Sequence, residues 1–317
     1  MIFRDRKFSG LKWMTRSMKV KCDEVTRRFL IDWKSVSSIQ DEEIMSLDEF
    51  LWGWLNVNTR CLWFDLGLKD HDDNITLAPV IDMVNYTLSS KVKPICTPNT
   101  FSLYSSHPLN QFTSPSTKRL IISSQTSRSP TLHPTLSHRK GDEILFSYGS
   151  HSNLTLWSEY GFLIRPKFSN GWNSVEITRE VLGLFEDDHD DGVQKLSVLK
   201  DSTYWKDYTI ESNPIGPSYR TLTALRLLYC PSLKLSNWYE IINGEKDECS
   251  LNVEDQIKGT IEKICLKLIE EIDLSLVDRS DWWIGNEGEG LGGCVKELMV
   301  EEKWILEGCL KLMNESN

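Results

Sequence analysis

The stretch KGDEILFSYGSHSNLTLWSEYGFLI, residues 140–164, decides how this chain is read. Lys140, Gly141 and Asp142 make a polar turn. Residues 143–148 alternate as a strand does, with Ile144, Phe146 and Tyr148 on one side and Leu145 and Ser147 on the other. Gly149 breaks the strand, because only glycine enters positive φ freely. Ser152 or Asn153 caps a short helix, with Leu154 and Trp157 one turn apart and Gly161 as its stop. A tyrosine at a strand end, followed by glycine and a capped helix, can hold a phenol rigidly at a cleft. On composition alone, a buried edge strand with a core tyrosine is the favoured reading.

A second apolar run, LAPVIDMVNYT at residues 77–87, contains Asp82 and Asn85. It reads as a buried strand leading into a turn at Asn85. The two stretches together resemble the paired C-terminal motifs of SET-domain protein methyltransferases, in the Rubisco large-subunit and ribosomal-protein lysine methyltransferase branch. That pattern reads D-x-x-N-H, then G-E/D-x-I-x-x-x-Y-G, then S-N followed by Y-G-F. The matching residues are Asp82 with Asn85 and Tyr86, Gly141 through Tyr148 and Gly149, Ser152 with Asn153, and Tyr160, Gly161 and Phe162. Order and spacing make the match specific. Two features depart from it: Tyr86 stands where the pattern has histidine, and no strand pair with a G-x-G-like turn precedes Arg60. The second departure implies either a truncated product or an incomplete site.

Composition narrows the function classes. Lys and Arg number 36 against 46 Asp and Glu, a net charge of −10, so nucleic acid is not the first partner expected. The 8 cysteines include no C-x-x-C, which argues for reduced thiols and against a zinc site or disulfide framework. No apolar run approaches the ~20 residues of a membrane span. His107, His133 and His138 lack ligand spacing, and no metal is expected.

Along the chain, Val25, Phe29 and Trp33 suggest a helix with an apolar stripe. Ser46 and Glu49 form a capping box for a second helix with Phe50, Trp54, Val57 and Cys61 on one face and Arg60 at its edge. Residues 87–138, rich in Ser, Thr and Pro, read as a hairpin or two within a long flexible insertion, with strand-like patches at 101–104 and 120–123. After residue 164 the character is helical. The acidic run 186–191 is a solvated linker. Leu222, Leu225 and Leu228 mark one helix. Val253, Ile257, Ile261, Ile264, Leu268 and Ile272 mark another, with Asn252 as its cap, and Val295, Leu298, Ile305, Cys309 and Leu312 mark the last. The glycine-rich residues 282–293 lack the Lys-Ser/Thr of a phosphate loop and read as a turn.

The resemblance implies an α+β protein, a partial SET-domain β fold with inserted helices followed by a mostly helical substrate-binding-like domain. It places the SET domain at 1–164, with a helical insert at 1–66, the C-terminal motifs at 77–164 and the insertion at 87–138. The helical domain follows at 165–317. The implied cofactor is S-adenosyl-L-methionine. Arg60 is implied on its carboxylate, Asn85 on its amino-acid end, and the backbone of Asp82, Met83, Val84, Asn85 and Tyr86 around its adenosine. Tyr148 is the implied catalytic group, with Asp82, Tyr148, Tyr160 and Phe162 facing the substrate. The implied activity is lysine N-methylation of a non-histone cytosolic protein, a ribosomal protein or elongation factor among the candidates. Alternatives are an inactive protein-binding module or a histidine methyltransferase. The expected partner is a protein substrate, with no nucleic acid and no membrane, and the expected location is the cytoplasm, with the nucleus second.

Overall fold

A computed structural model of the chain describes residues 14–39, 45–63, 75–77, 81–88, 92–97, 100–105, 129–132, 143, 145–165, 168–188, 191–231, 235–277 and 291–315. Two compact units share them, Met1–Thr26 with His151–Asn317, and Arg27–Ser150. The division falls inside the first helix, α1 (Arg16–Ser37). The architecture is α+β.

In the unit Arg27–Ser150, α1 meets α2 (Leu47–Arg60) through aromatic rings. Phe29 lies 5.6 Å from Phe50 and 5.5 Å, edge-on, from Trp54, and Trp33 lies 5.2 Å from Phe50. Such ring pairs contribute about 0.5–1.5 kcal/mol beyond the area they bury. The indole N–H of Trp54 donates to Asp32 Oδ2 at 2.7 Å, so the buried ring keeps its polar edge satisfied. The expected capping box is present: Glu49 N donates to the Ser46 hydroxyl, and Ser46 N donates to the Glu49 carboxylate. The ring cluster ends at Trp54. Val57, one turn on and expected on the buried face, is 46% exposed.

The strands of this unit are short. β1 (Cys61–Trp63) pairs antiparallel with β2 (Ile75–Leu77). The run 77–84 is not the single strand its hydropathy suggests. Leu77 ends β2, Ile81–Met83 is a 3-10 turn, and Asn85 lies in a new strand, β3 (Asn85–Tyr86), rather than in a turn. Pro79 within the run has no amide hydrogen to give a ladder. A hairpin joins β4 (Val92–Thr97) to β5 (Thr100–Ser105), as the first strand-like patch leads one to expect, and β6 (Ser129–Leu132) adds in parallel to β5. The patch 120–123 and His107, His133 and His138 lie outside the described residues. β7 (Leu145–Phe146) pairs in parallel with β3. It is shorter than the expected strand 143–148, because its partner offers two residues only.

In the other unit, Ser152 proves to be the cap: its hydroxyl accepts from Thr155 N. The helix it opens, α3 (Asn153–Thr155), widens into a π-turn at Leu156–Tyr160 and stops at Gly161, whose φ of 85° is the left-handed stop expected of it. The region expected to be mostly helical also holds a three-stranded antiparallel sheet, β8 (Ser174–Glu176), β9 (Thr209–Ser212) and β10 (Ile215–Pro217), in the order β10-β9-β8. Three or four residues are too few for alternation to stand out. Around the sheet lie α4 (Thr178–Asp187), α5 (Gly192–Lys200), α6 (Tyr219–Tyr229), α7 (Leu235–Ile242), α8 (Leu251–Val277) and α9 (Leu291–Glu315). All six apolar residues expected along α8 are buried, each contributing about 1.5–3 kcal/mol. α8 begins at Leu251, so Asn252 lies within its first turn and is not its cap. Gly292 and Gly293 belong to α9 rather than to a turn. α9 buries Val295, Leu298, Ile305 and Cys309, while Leu312 near its end is 41% exposed. Gly308 lets α9 approach β10, since a Cβ there would stand 2.9 Å from the Ile215 side chain.

Candidate active site

Two residue pairs hold the site together. Asn85 pairs with Leu145 and Tyr86 with Phe146, joining segments more than fifty residues apart in sequence. A strand's side chains alternate, so Glu143, two residues before Leu145, shares a side with Asn85. Its carboxylate accepts a hydrogen bond from Asn85 Nδ2. Beyond the ladder, the Tyr148 hydroxyl donates to the Val84 carbonyl at 2.9 Å and the Tyr86 hydroxyl to the Gly149 carbonyl at 3.4 Å. The two rings meet edge to face, 5.2 Å apart. Gly149, with φ of 136°, makes the corner after Tyr148.

Arg60, the last residue of α2, donates from Nη1 to the Asp82 carbonyl at 3.3 Å and lies 3.9 Å from Asp82 Oδ2. Asp82 Oδ1 is buried and has no hydrogen-bond partner among the described residues. Val84 is buried and Met83 is 74% exposed, so Met83 can serve the site through its backbone alone. Arg60, Asp82, Val84, Asn85, Tyr86 and Tyr148 therefore come together within one compact unit. Tyr160 and Phe162 belong to the other. Their rings lie 6.4 Å apart, with His151 5.8 Å from Tyr160.

Burial pushes the Tyr148 phenol above the ordinary tyrosine value; Arg60 opposes the shift and Asp82 adds to it. Burial also raises Tyr86, against a hydrogen bond with Ser147. Both phenols thus carry their protons at neutral pH. With its proton directed at Val84, the Tyr148 oxygen can act as a hydrogen-bond acceptor. Arg60 and Asp82 present a guanidinium beside a carboxylate, the complement of a zwitterionic amino-acid group, and Asp82 Oδ1 is an acceptor in want of a donor. These residues fit the amino-acid end of S-adenosyl-L-methionine.

Two features escaped the sequence reading. Glu143 was legible by its parity with Asn85 once the parallel register was known. Asn153, which the sequence offers as a possible cap and as part of the Ser152–Asn153 motif pair, is fully buried and centres a polar network. Its Nδ2 donates to both oxygens of Glu301 at 2.9 Å, and its Oδ1 accepts from Ile164 N at 3.1 Å and Asn170 Nδ2 at 3.2 Å. Glu301, in the sequence VEEKW, looks like an exposed helix face. Among the described residues, no group of three or more His, Cys, Asp or Glu is placed to hold a metal ion.

No family model matches the chain. It is 31% identical over 259 residues to the ribosomal lysine N-methyltransferase set11 of Schizosaccharomyces pombe, covering 76% of this chain and 56% of the relative. This similarity supports the resemblance of the motifs to the SET-domain branch that holds the ribosomal lysine methyltransferases. The human SET domain-containing protein 4 is 28% identical over 324 residues, covering 96% of this chain and 63% of its own length. Ribosomal lysine N-methyltransferase 2 of Saccharomyces cerevisiae is 30% identical over 217 residues, covering 68% and 38%. The chain thus spans about six tenths or less of these relatives. Among solved structures, the SET domain of LSMT bound to lysine and AdoHcy superposes with a TM-score of 0.59 at 13% identity, over 98% of this chain and 67% of that one. That likeness establishes the SET-domain fold.

Proposed function

We propose that the chain is an S-adenosyl-L-methionine-dependent protein-lysine N-methyltransferase acting on a non-histone cytosolic protein, with ribosomal proteins and elongation factors the first substrates to test. The observation that carries this reading is the β3–β7 pairing, which sets Asn85 beside the strand leading to Tyr148. The kinship to two ribosomal lysine methyltransferases supports it. S-adenosyl-L-methionine supplies an electrophilic methyl on a sulfonium. Arg60 takes the cofactor carboxylate, Asp82 its ammonium, Asn85 its amino-acid end, and the backbone of Asp82, Met83, Val84, Asn85 and Tyr86 lies along its adenosine. A lysine arrives charged, with a pKa of about 10.4, and burial favours its neutral form. The Tyr148 oxygen accepts from the amine N–H and aligns the nitrogen lone pair for in-line attack, which can lower the barrier by several kcal/mol. Tyr160 and Phe162 contact the substrate side chain, where aromatic faces suit an ammonium group. Residues 1–164 carry the chemistry and 165–317 the substrate choice, and the protein works in the cytoplasm, with the nucleus second.

The test is methyl transfer from radiolabelled S-adenosyl-L-methionine to ribosomes and to purified elongation factors, by the native chain and by Tyr148→Phe. A labelled lysine with the native chain, lost in the folded variant, is the expected result. Equal labelling by the two refutes the role of Tyr148. No heat of S-adenosyl-L-methionine binding to the folded chain refutes the enzyme reading itself.

A further inference from the structure

Two paired segments exchange the same kind of bond. Tyr148, after β7, gives its hydroxyl to the carbonyl of Val84, just before β3. Tyr86, in β3, gives its hydroxyl to the carbonyl of Gly149, just after Tyr148. Each phenol thus reaches across the ladder to the other's strand, and the rings close against each other at 68°, an edge-to-face contact. The ladder between them has only two residue pairs, so it cannot by itself hold Tyr148 in one place. Tyr86 stands where the family pattern has a histidine.

We infer that Tyr86 is a positioning residue: its ring and hydroxyl form one half of a reciprocal latch that fixes the Tyr148 phenol. This inference deepens the proposed methyl transfer and rests on it for its use, but the latch itself can be tested without cofactor or substrate. Losing the Tyr86 hydroxyl leaves Gly149, the corner from which Tyr148 projects, held to its own strand by the Ser147 hydroxyl and no longer tied to β3 by this bond. Losing the ring also uncovers one face of Tyr148 to water. The burial that raises the Tyr148 pKa then weakens, and its titration moves back toward the ordinary value.

The experiment uses the full chain with tyrosines carbon-13 labelled at Cζ, followed by NMR through alkaline pH. The Tyr148 signal is assigned from Tyr148→Phe, and the Tyr86 signal from Tyr86→Phe. The expected result is that Tyr86→Phe shifts the Tyr148 signal and lowers its titration midpoint, that Tyr86→Leu lowers it further, and that Tyr148→Phe moves the Tyr86 signal in return. Far-UV circular dichroism checks that each variant is folded. If Tyr86→Phe does not fold, the Tyr86 signal is assigned in the native chain from its ring contact with Tyr148 and the reciprocal arm decides alone: an unmoved Tyr86 signal in folded Tyr148→Phe overturns the latch. A Tyr148 titration unchanged in both folded Tyr86 variants overturns it equally. Failure of the enzyme reading shows elsewhere, as no heat of S-adenosyl-L-methionine binding in the native chain.

Discussion

Replacing Asn153 by leucine, which keeps the shape and removes every polar atom, should destabilise the unit that holds it by about 3–5 kcal/mol. The magnitude follows from its bonds. Nδ2 spans both oxygens of Glu301, and a hydrogen bond to a charged group contributes about 1.5–3 kcal/mol. Oδ1 accepts from Ile164 N and Asn170 Nδ2, and a buried donor that loses its acceptor costs about 1–3 kcal/mol. Glu301 keeps Asn173 Nδ2 at 3.2 Å and Phe168 N at 3.4 Å, which limits the loss. Leucine restores some packing, so the sum falls short of full additivity. Urea unfolding of the full chain, followed by far-UV circular dichroism and tryptophan fluorescence, measures the effect. With a slope of about 2–3 kcal/mol per molar urea, the midpoint of the affected transition drops by roughly 1–2.5 M. A drop of less than about 0.3 M would show that the network around Glu301 contributes little and that Asn153 is replaceable.

Glu302 gives a pH-dependent case. Burial pushes its carboxyl up to about 7, with Glu176 and Glu301 adding to the shift and hydrogen bonds from Thr15 and Ser17 opposing it. The folded chain holds this proton to higher pH than the unfolded chain, so the stability it contributes is complete below about 4.5 and is lost as pH climbs through about 7. Glu302→Gln should therefore be more stable than the native chain at pH 8, by up to ~3 kcal/mol, with the advantage gone by pH 4.5; melting temperatures across that range check it. Ser46→Ala removes the hydroxyl that accepts from Glu49 N and leaves the backbone half of the capping box; it should cost about 1 kcal/mol, read from the urea midpoint of the unit carrying α2. Lys195, 6% exposed, donates from Nζ to the Leu228 carbonyl at 2.6 Å, at the C-terminal end of α6, where a cation is favoured. Lys195→Met keeps the stem and should lower stability by about 2 kcal/mol; a change within 0.5 kcal/mol would show the carbonyl is satisfied without it.

Long periodic segments were the most legible part of the chain. Six apolar residues at helical spacing placed α8 correctly because 27 residues give the period room to declare itself. The Ser46–Glu49 box and the Gly161 stop were legible because each is a local chemical requirement, met within three or four residues. The strands were not. β3 and β7 have two residues each and exist through each other, so neither carries a signal of its own. The site residues follow from the order and spacing of the motifs, and the sequence does not say which of them touch. Nothing in VEEKW distinguishes the buried Glu301 and Glu302 from ordinary surface glutamates, since their burial depends on what α9 packs against.

The junction between Val84 and Gly149 is small, and it closes a loop of more than sixty residues. The entropy of closing a loop grows only with the logarithm of its length, so doubling that length costs about 0.6 kcal/mol. Insertions or deletions between Tyr86 and Glu143 that leave β4, β5 and β6 intact therefore weigh little against the ring contacts and hydroxyl bonds that seal the loop. The span between the two motifs is free to drift in length and composition across descendants of this gene while the residues at its two ends stay in register.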